Sequence, residues 1–333
     1  MLQTISRLRE NIRLQLVVVL VGVLLLLAKF VAYFLTNSNA ILTDALESII
    51  NVVAGGFSLY SLVLSARPRD ENHPYGHGKI EFIAATLEGS LILVAGSVII
   101  FKSVYNLFEP QTLHQLDIGI ILTAATGIVN YTVGYITERR GESVNSLVLV
   151  AGGKHLKSDA YSTAGILVGL LLIFLTGYIW LDSLVAVIFG GVICYTGYKI
   201  LRSSVAGIMD EADYELLQRI VAVLNDNRRE NWIDIHNLRV IKYGATLHID
   251  CHLTVPWYLN VLEAHDEVEA LGSLVRDKID PSIELFVHTD PCIEASCSIC
   301  SKQDCQVRKH DFKKLVPWDF EKVISDRKHS LYE

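Results

Sequence analysis

Three groups of side chains in this 333-residue chain have the types and spacing of metal ligands. In the first, Glu47 and Asn51 lie four apart in one apolar stretch, and His155 and Asp159 lie four apart in another. That spacing places each pair on one helix face, a turn from each other. Brought together, the two faces would offer two carboxylates, an imidazole and an amide oxygen, a workable set for a first-row divalent cation. The bland alternative is a hydrogen-bonded network that pins helix packing; two such pairs in one small bundle weigh against it. Asp44 sits on a neighbouring face of the same stretch, and periodicity alone does not choose between it and Glu47. The second group, Asp70, His73 and His77, forms D-x2-H-x3-H in a segment that Pro74 and Gly76 can turn. Its alternative is a solvated histidine loop. The third is Cys292-x4-Cys297-x2-Cys300-x4-Cys305, four thiols within 14 residues. This pattern suits tetrahedral zinc or an iron–sulfur cluster, as against a simple thiol tail. Cys194, in an apolar segment, and Cys251, on an apolar strand face, read as packing residues.

The elements that must carry these groups follow from hydropathy. The chain is 51% hydrophobic and 20% charged, with mean hydropathy +0.37. Such a composition excludes a disordered chain, a coiled coil and an ordinary soluble enzyme. Six apolar segments, at roughly 13–35, 39–66, 80–108, 116–138, 143–176 and 179–205, are long enough to cross a bilayer as helices. Lys29 and Glu88 are tolerated within two of them. The first segment has no small-x-small cleavage site after it and is not read as a signal peptide. Arg7, Arg9 and Arg13 precede the first segment, and Arg67, Arg69, Lys79, Arg139, Arg140, Lys154 and Lys157 mark alternate connections. The remaining connections carry no Lys or Arg, which places both termini in the cytoplasm.

After residue 210 the character changes. Residues 211–333 hold 15 Lys+Arg and 22 Asp+Glu, which accounts for the whole net charge of −7, and seven of the 11 His. An acidic, His-rich part repels phosphates and argues against nucleic acid, while a divalent cation is its natural partner. Helical period at 213–225, alternation at 238–243 and 246–255 around Gly244, helical period at 261–279 and a short strand at 283–288 predict an α-β-β-α-β layer. The expected organisation is a six-helix membrane domain (1–208), a small cytoplasmic α+β domain (209–290) and a Cys-rich extension (291–333). On the cytoplasmic side, reducing conditions disfavour disulfides among the extension's thiols.

These residues together resemble the cation diffusion facilitators, a family of metal/proton antiporters. The resemblance rests on the six spans, Leu42-Thr-Asp-Ala-Leu-Glu-Ser48, the His73-Pro-Tyr-Gly-His-Gly-Lys79 loop, His155-x3-Asp159 and the small α+β tail, and it covers about residues 10–290. It implies a transport site with ligands four apart on spans two and five, which favours Glu47 over Asp44. The chain departs from the usual zinc pattern, in which the span-two positions are two Asp or His and Asp; Asn51 supplies a neutral oxygen instead. The resemblance also implies metal at a dimer interface in the tail, held by His236, His252, His265, His288 and Asp290, with His248 as the bystander or a substitute for His252.

The expectation is therefore a homodimeric secondary transporter in the plasma (inner) membrane. It would export a divalent transition metal, zinc first and iron(II) next, with manganese or cobalt also within the ligand set's reach, in exchange for protons. The metal is substrate and structural or regulatory ligand, and no catalytic cofactor is called for. The alternative from another class is a membrane metal sensor. The absence of G-x4-G-K-[ST], H-E-x-x-H and G-x-S-x-G argues against an ATP-driven pump and a hydrolase.

Overall fold

A computed structural model describes residues 2–36, 39–108, 117–176, 180–244, 246–280 and 283–331. The side chains of some helical residues, Asp44 and Glu47 among them, lie outside the description. The chain divides into two compact units, Met1–Met209 and Asp210–Glu333.

The first unit consists of six long helices: α1 (Leu2–Thr36), α2 (Asn39–Ser65), α3 (Ile80–Phe108), α4 (Asp117–Val144), α5 (Leu147–Thr176) and α6 (Trp180–Ile208). The shortest has 27 residues and the longest 35, so each is roughly 40–50 Å long at 1.5 Å per residue. Among the described residues, Glu10–Val31 and Ile80–Tyr105 are long and apolar enough to cross a membrane on their own. The helices begin and end close to where hydropathy puts them, except that α1 starts at Leu2 and α4 runs on to Val144. In both extensions the helix continues through charged turns that a hydropathy window ends on.

Glycines let two helix pairs approach closely. On α3, Gly89 and Gly96 are seven apart and meet the α6 backbone: a Cβ at Gly89 would lie 2.9 Å from the Leu201 nitrogen. On α6, Gly197 returns the fit, its Cβ position lying 2.7 Å from the Leu93 nitrogen. Gly134, Gly141 and Gly153 do the same between α4 and α5. Small residues at the seam are how helices associate when burial of apolar surface supplies no driving force. Leu16, Leu20, Leu24, Leu27, Val31 and Phe34 form an exposed apolar stripe along α1, while Asn11, Gln15, Glu81, Glu88 and Asn130 are buried among apolar clusters around Ile92 and Leu149. An outward apolar face with polar groups buried inside fits apolar surroundings.

The second unit contains α7 (Tyr214–Asp226), β1 (Asp234–Tyr243), β2 (Thr246–Val255), α8 (Val261–Lys278), β3 (Glu284–Pro291) and a short α9 (Phe320–Val323). The sheet order is β1-β2-β3, with β1 antiparallel and β3 parallel to β2, so α8 is the crossover between β2 and β3. The helices have well-formed starts. Asp213 caps α7 by accepting from the Leu216 N–H, and Asn260 with Glu263 forms a capping box on α8. β1 begins at Asp234 rather than 238, because a bulge between His236 and Arg239 interrupts the alternation by which a strand is recognised. The core joins Leu217, Ile220 and Leu224 of α7 to Ile235, Ile249 and Leu253 of the sheet and Leu271 of α8. Residues after Pro291 lie within this unit: Trp318 and Val323 are part of the same core, and Asn225 binds the Trp318 backbone in both directions.

Candidate metal centres

Asn51 on α2 and His155 and Asp159 on α5 come together inside the helical unit. The Asn51 amide nitrogen donates to Asp159 Oδ2 at 2.6 Å, its Oδ1 lies 2.9 Å from His155 Nε2, and His155 Nε2 is 4.0 Å from Asp159 Oδ1. An imidazole nitrogen, an amide oxygen and a carboxylate thus converge within a span that one cation can bridge. The i, i+4 spacing on α5 stacks His155 above Asp159, and Asn51 faces them from α2. Glu47 is one turn from Asn51 on α2, and its side chain, like that of Asp44, lies outside the described residues.

A further carboxylate belongs to this region. Glu88 on α3 is 3% exposed; it accepts a hydrogen bond from Ser58 of α2, and its Oε2 has no hydrogen-bond partner among the described residues. Gly152 of α5, one turn before His155, leaves room for it: a Cβ there would lie 3.3 Å from Oε2. Seven residues earlier, buried Glu81 accepts from Ser65 at 3.0 Å and Ser146 at 2.5 Å. Two buried carboxylates therefore line one face of α3 against α2 and the start of α5. The sequence reading treats Glu88 only as a tolerated charge; its spacing of two turns from Glu81 was the available signal.

The connection between α2 and α3 folds on Asp70. Its Oδ1 accepts from the backbone of Asn72 and His73 and lies 2.9 Å from His73 Nδ1, while Oδ2 is 3.4 Å from His77 Nε2. Gly76, at φ +91°, turns the chain so that both rings return to the carboxylate. One ligand atom from each of the three residues lies within 4.8 Å of the others. The hydrogen bond from His73 holds the Asp70 carboxyl below its ordinary range.

In the second unit three histidines form a row across the sheet. His236 of β1 is in register with His252 of β2, which is in register with His288 of β3. Asp290, two residues after His288, is the hub: its carboxylate is 3.3 Å from His236 Nε2, 3.2 Å from His252 Nδ1 and 3.7 Å from His288 Nε2. Behind His236 stands Asp234, 3.3 Å from Nδ1 and also bound by the backbone and ring of His329. Burial opposes ionisation of Asp234, yet the hydrogen bonds from His236 and His329 outweigh it and hold the carboxyl well below the usual range. A carboxylate behind a ligand histidine fixes its tautomer and orientation. His252 belongs to the row, and His248 does not: it is buried beside Glu284 and Tyr243. His265 is exposed on α8, apart from the group that one chain brings together. Asp234 and His329 were missed. His329 lies 95 residues along the chain from Asp234, and no spacing connects them.

The four cysteines of the extension line one small cavity. None is in a disulfide, and Cys251 is apart from them, in the sheet core, where burial pushes its thiol up to about 12.

Comparison with known proteins agrees with this division. The description "Cation efflux transmembrane domain" matches residues 15–209, and "Cation efflux protein, cytoplasmic domain" matches 212–292. An uncharacterized transporter of Synechocystis is 33% identical over 263 residues, covering 79% of this chain and 84% of that protein. The cation-efflux pump FieF of Shewanella oneidensis is 26% identical, covering 80% of this chain and 89% of the pump. The manganese efflux system protein MneS of Bacillus subtilis is 28% identical, covering 79% and 89%.

Proposed function

Because the chain belongs to the cation efflux family, we infer that it moves a divalent transition metal out of the cytoplasm in exchange for protons, with zinc as first substrate and iron(II) as second. The observation that carries this reading is the meeting of Asn51, His155 and Asp159 between α2 and α5. Glu47 completes the set from the turn above Asn51. All six long helices span the bilayer of the plasma membrane, and both termini are cytoplasmic, as the Lys and Arg of the alternate connections require.

The chemistry follows from competition for the same atoms. A metal needs neutral imidazole and ionised carboxylates, so each bound ion displaces protons and each proton weakens the metal. Protons taken up from outside empty the site of metal, and metal from the cytoplasm empties it of protons. Alternating exposure of the site then couples the two flows. Glu88, buried on α3 against Ser58 of α2 and Gly152 of α5, passes protons between the site and the cytoplasmic side without holding the substrate itself. Asn51 lowers the site's negative charge by one relative to a two-Asp arrangement, which relaxes preference from zinc towards iron(II). Asp70, His73 and His77 hold a second ion at the cytoplasmic surface, and the His236–His252–His288–Asp290 row holds ions that join two copies of the chain into a dimer.

The test is metal flux in vesicles reconstituted with the full-length protein and given a pH gradient. Zinc or iron(II) movement that follows the gradient supports the proposal. Saturable metal binding without flux would instead favour a membrane sensor.

A further inference from the structure

The stretch after β3 has little regular structure: one five-residue 3-10 helix, Glu294–Ser298, and the four-residue α9. It nonetheless seats Ile299 and Cys300 in a buried cluster with Ile233, and Trp318 in the unit's main core. A chain with so few ladder hydrogen bonds and so little core of its own commonly needs a cross-link to hold one shape. Cys292, at the end of β3, Cys297, in the 3-10 helix, Cys300, just beyond it, and Cys305, in the next turn, all line the same cavity of about 20 Å³. That volume is enough for a water-sized body. Arg308 lines the cavity, and its guanidinium donates to the carbonyls of Cys297, at 2.9 Å, and Cys300, at 3.2 Å, and to that of Lys302, so it holds the C-x2-C turn closed with its positive charge beside the thiols. Packing alone explains Cys300, which is buried, but not Cys292, Cys297 and Cys305, which are each partly exposed. The family match to the cytoplasmic domain ends at residue 292, so these thiols stand outside what membership of the family assigns.

We propose that Cys292, Cys297, Cys300 and Cys305 bind a single tetrahedral divalent ion of the zinc class, which fastens the extension to the sheet and is separate from the transported ion. Binding displaces four thiol protons to solvent and leaves a centre of net charge −2, partly offset by the Arg308 guanidinium, that cross-links the end of β3 to the turn at Cys305. The ion is structural because all four positions are thiolates, leaving none open for exchange.

Cobalt(II) is the probe that separates this site from every other in the molecule. Loaded into chelator-treated full-length protein, cobalt on four thiolates gives intense sulfur-to-metal charge-transfer absorption, whereas cobalt on histidine and carboxylate does not. The expected result is that band in the wild-type protein, titrating to one ion per chain, and its loss in the Cys297→Ser/Cys300→Ser variant. As a measurement that needs no variant, zinc should slow alkylation of these four cysteines in the wild-type protein by at least about tenfold, since the bound thiolate is no longer a free nucleophile. Absence of the band, or alkylation indifferent to zinc, overturns the site. A visible iron–sulfur chromophore in freshly purified protein overturns the single-ion assignment. Neither readout depends on flux, so the transport reading and this one fail independently.

Discussion

In the helical unit, Asn51, His155 and Asp159 are drawn from two helices and satisfy one another: amide to carboxylate at 2.6 Å, imidazole to amide at 2.9 Å. In the sheet unit, His236, His252 and His288 surround the Asp290 carboxylate, and His236 is backed by Asp234, which His329 in turn holds. The first centre hydrogen-bonds across a helix–helix seam. The second is fastened to three adjacent strands whose register cannot change without undoing the sheet. The difference separates the two proposed roles. Ligands on separate helices, able to pair with each other when no ion is bound, suit a substrate that must enter and leave. Ligands locked in register with a carboxylate behind them suit an ion that stays.

The largest effect that could break this comparison is at Asp159. Asp159→Ala should reduce metal flux in vesicles to background while calorimetry still finds metal bound to the sheet unit. If transport is normal in that variant but lost in Asp44→Ala, the site lies one helix face away. Asn51→Asp, by contrast, should keep flux and raise the preference for zinc over iron(II) in competition assays.

Next comes the carboxylate behind His236. Asp234→Asn should weaken metal binding in the sheet unit about 10–100-fold, the usual consequence of removing an orienting partner. Flux at saturating metal should change far less. An unchanged affinity would mean that the row needs no backing, and the contrast between the two centres would lose its structural basis.

Smaller still is Glu88→Gln. The amide keeps the size and the bond from Ser58 but cannot carry a proton. Flux should fall several-fold and lose much of its pH dependence, with equilibrium metal affinity unchanged. Loss of affinity in step with flux would make Glu88 a ligand instead.

The smallest effect is acid sensitivity of the sheet unit. Burial opposes ionisation of Asp213, but the Lys242 ammonium and the Leu216 N–H outweigh it and lower its carboxyl, as His236 and His329 lower that of Asp234. A carboxyl whose folded pKa lies below its unfolded value stabilises the fold fully above the unfolded value, and that contribution is lost as pH falls. Unfolding of metal-free protein should therefore become easier below about pH 4. Tryptophan fluorescence can follow it, since Trp232, Trp257 and Trp318 lie in this unit and only Trp180 in the other. Asp213→Asn should reduce the acid dependence by a fraction of 1 kcal/mol or so, because the pair with Lys242 is largely solvated.

Sequence alone determined what is local or periodic. A run of about 20 apolar residues has one low-energy form in an apolar medium, so the six helices and the i, i+4 pairs at 47/51 and 155/159 could be read directly. The two-residue period of the strands and the capping residues Asp213 and Asn260 likewise marked the α-β-β-α-β order. Tertiary structure alone decided which distant residues meet. It set His252, and not His248, in the row with His236 and His288, because strand register is fixed by burial of the whole sheet. It brought Glu88 beside Ser58 and Gly152, and His329 onto Asp234, where no period in the chain links the partners. Such contacts are written in three helices or in a strand and a distant turn at once, and only the packing that buries them together makes them neighbours.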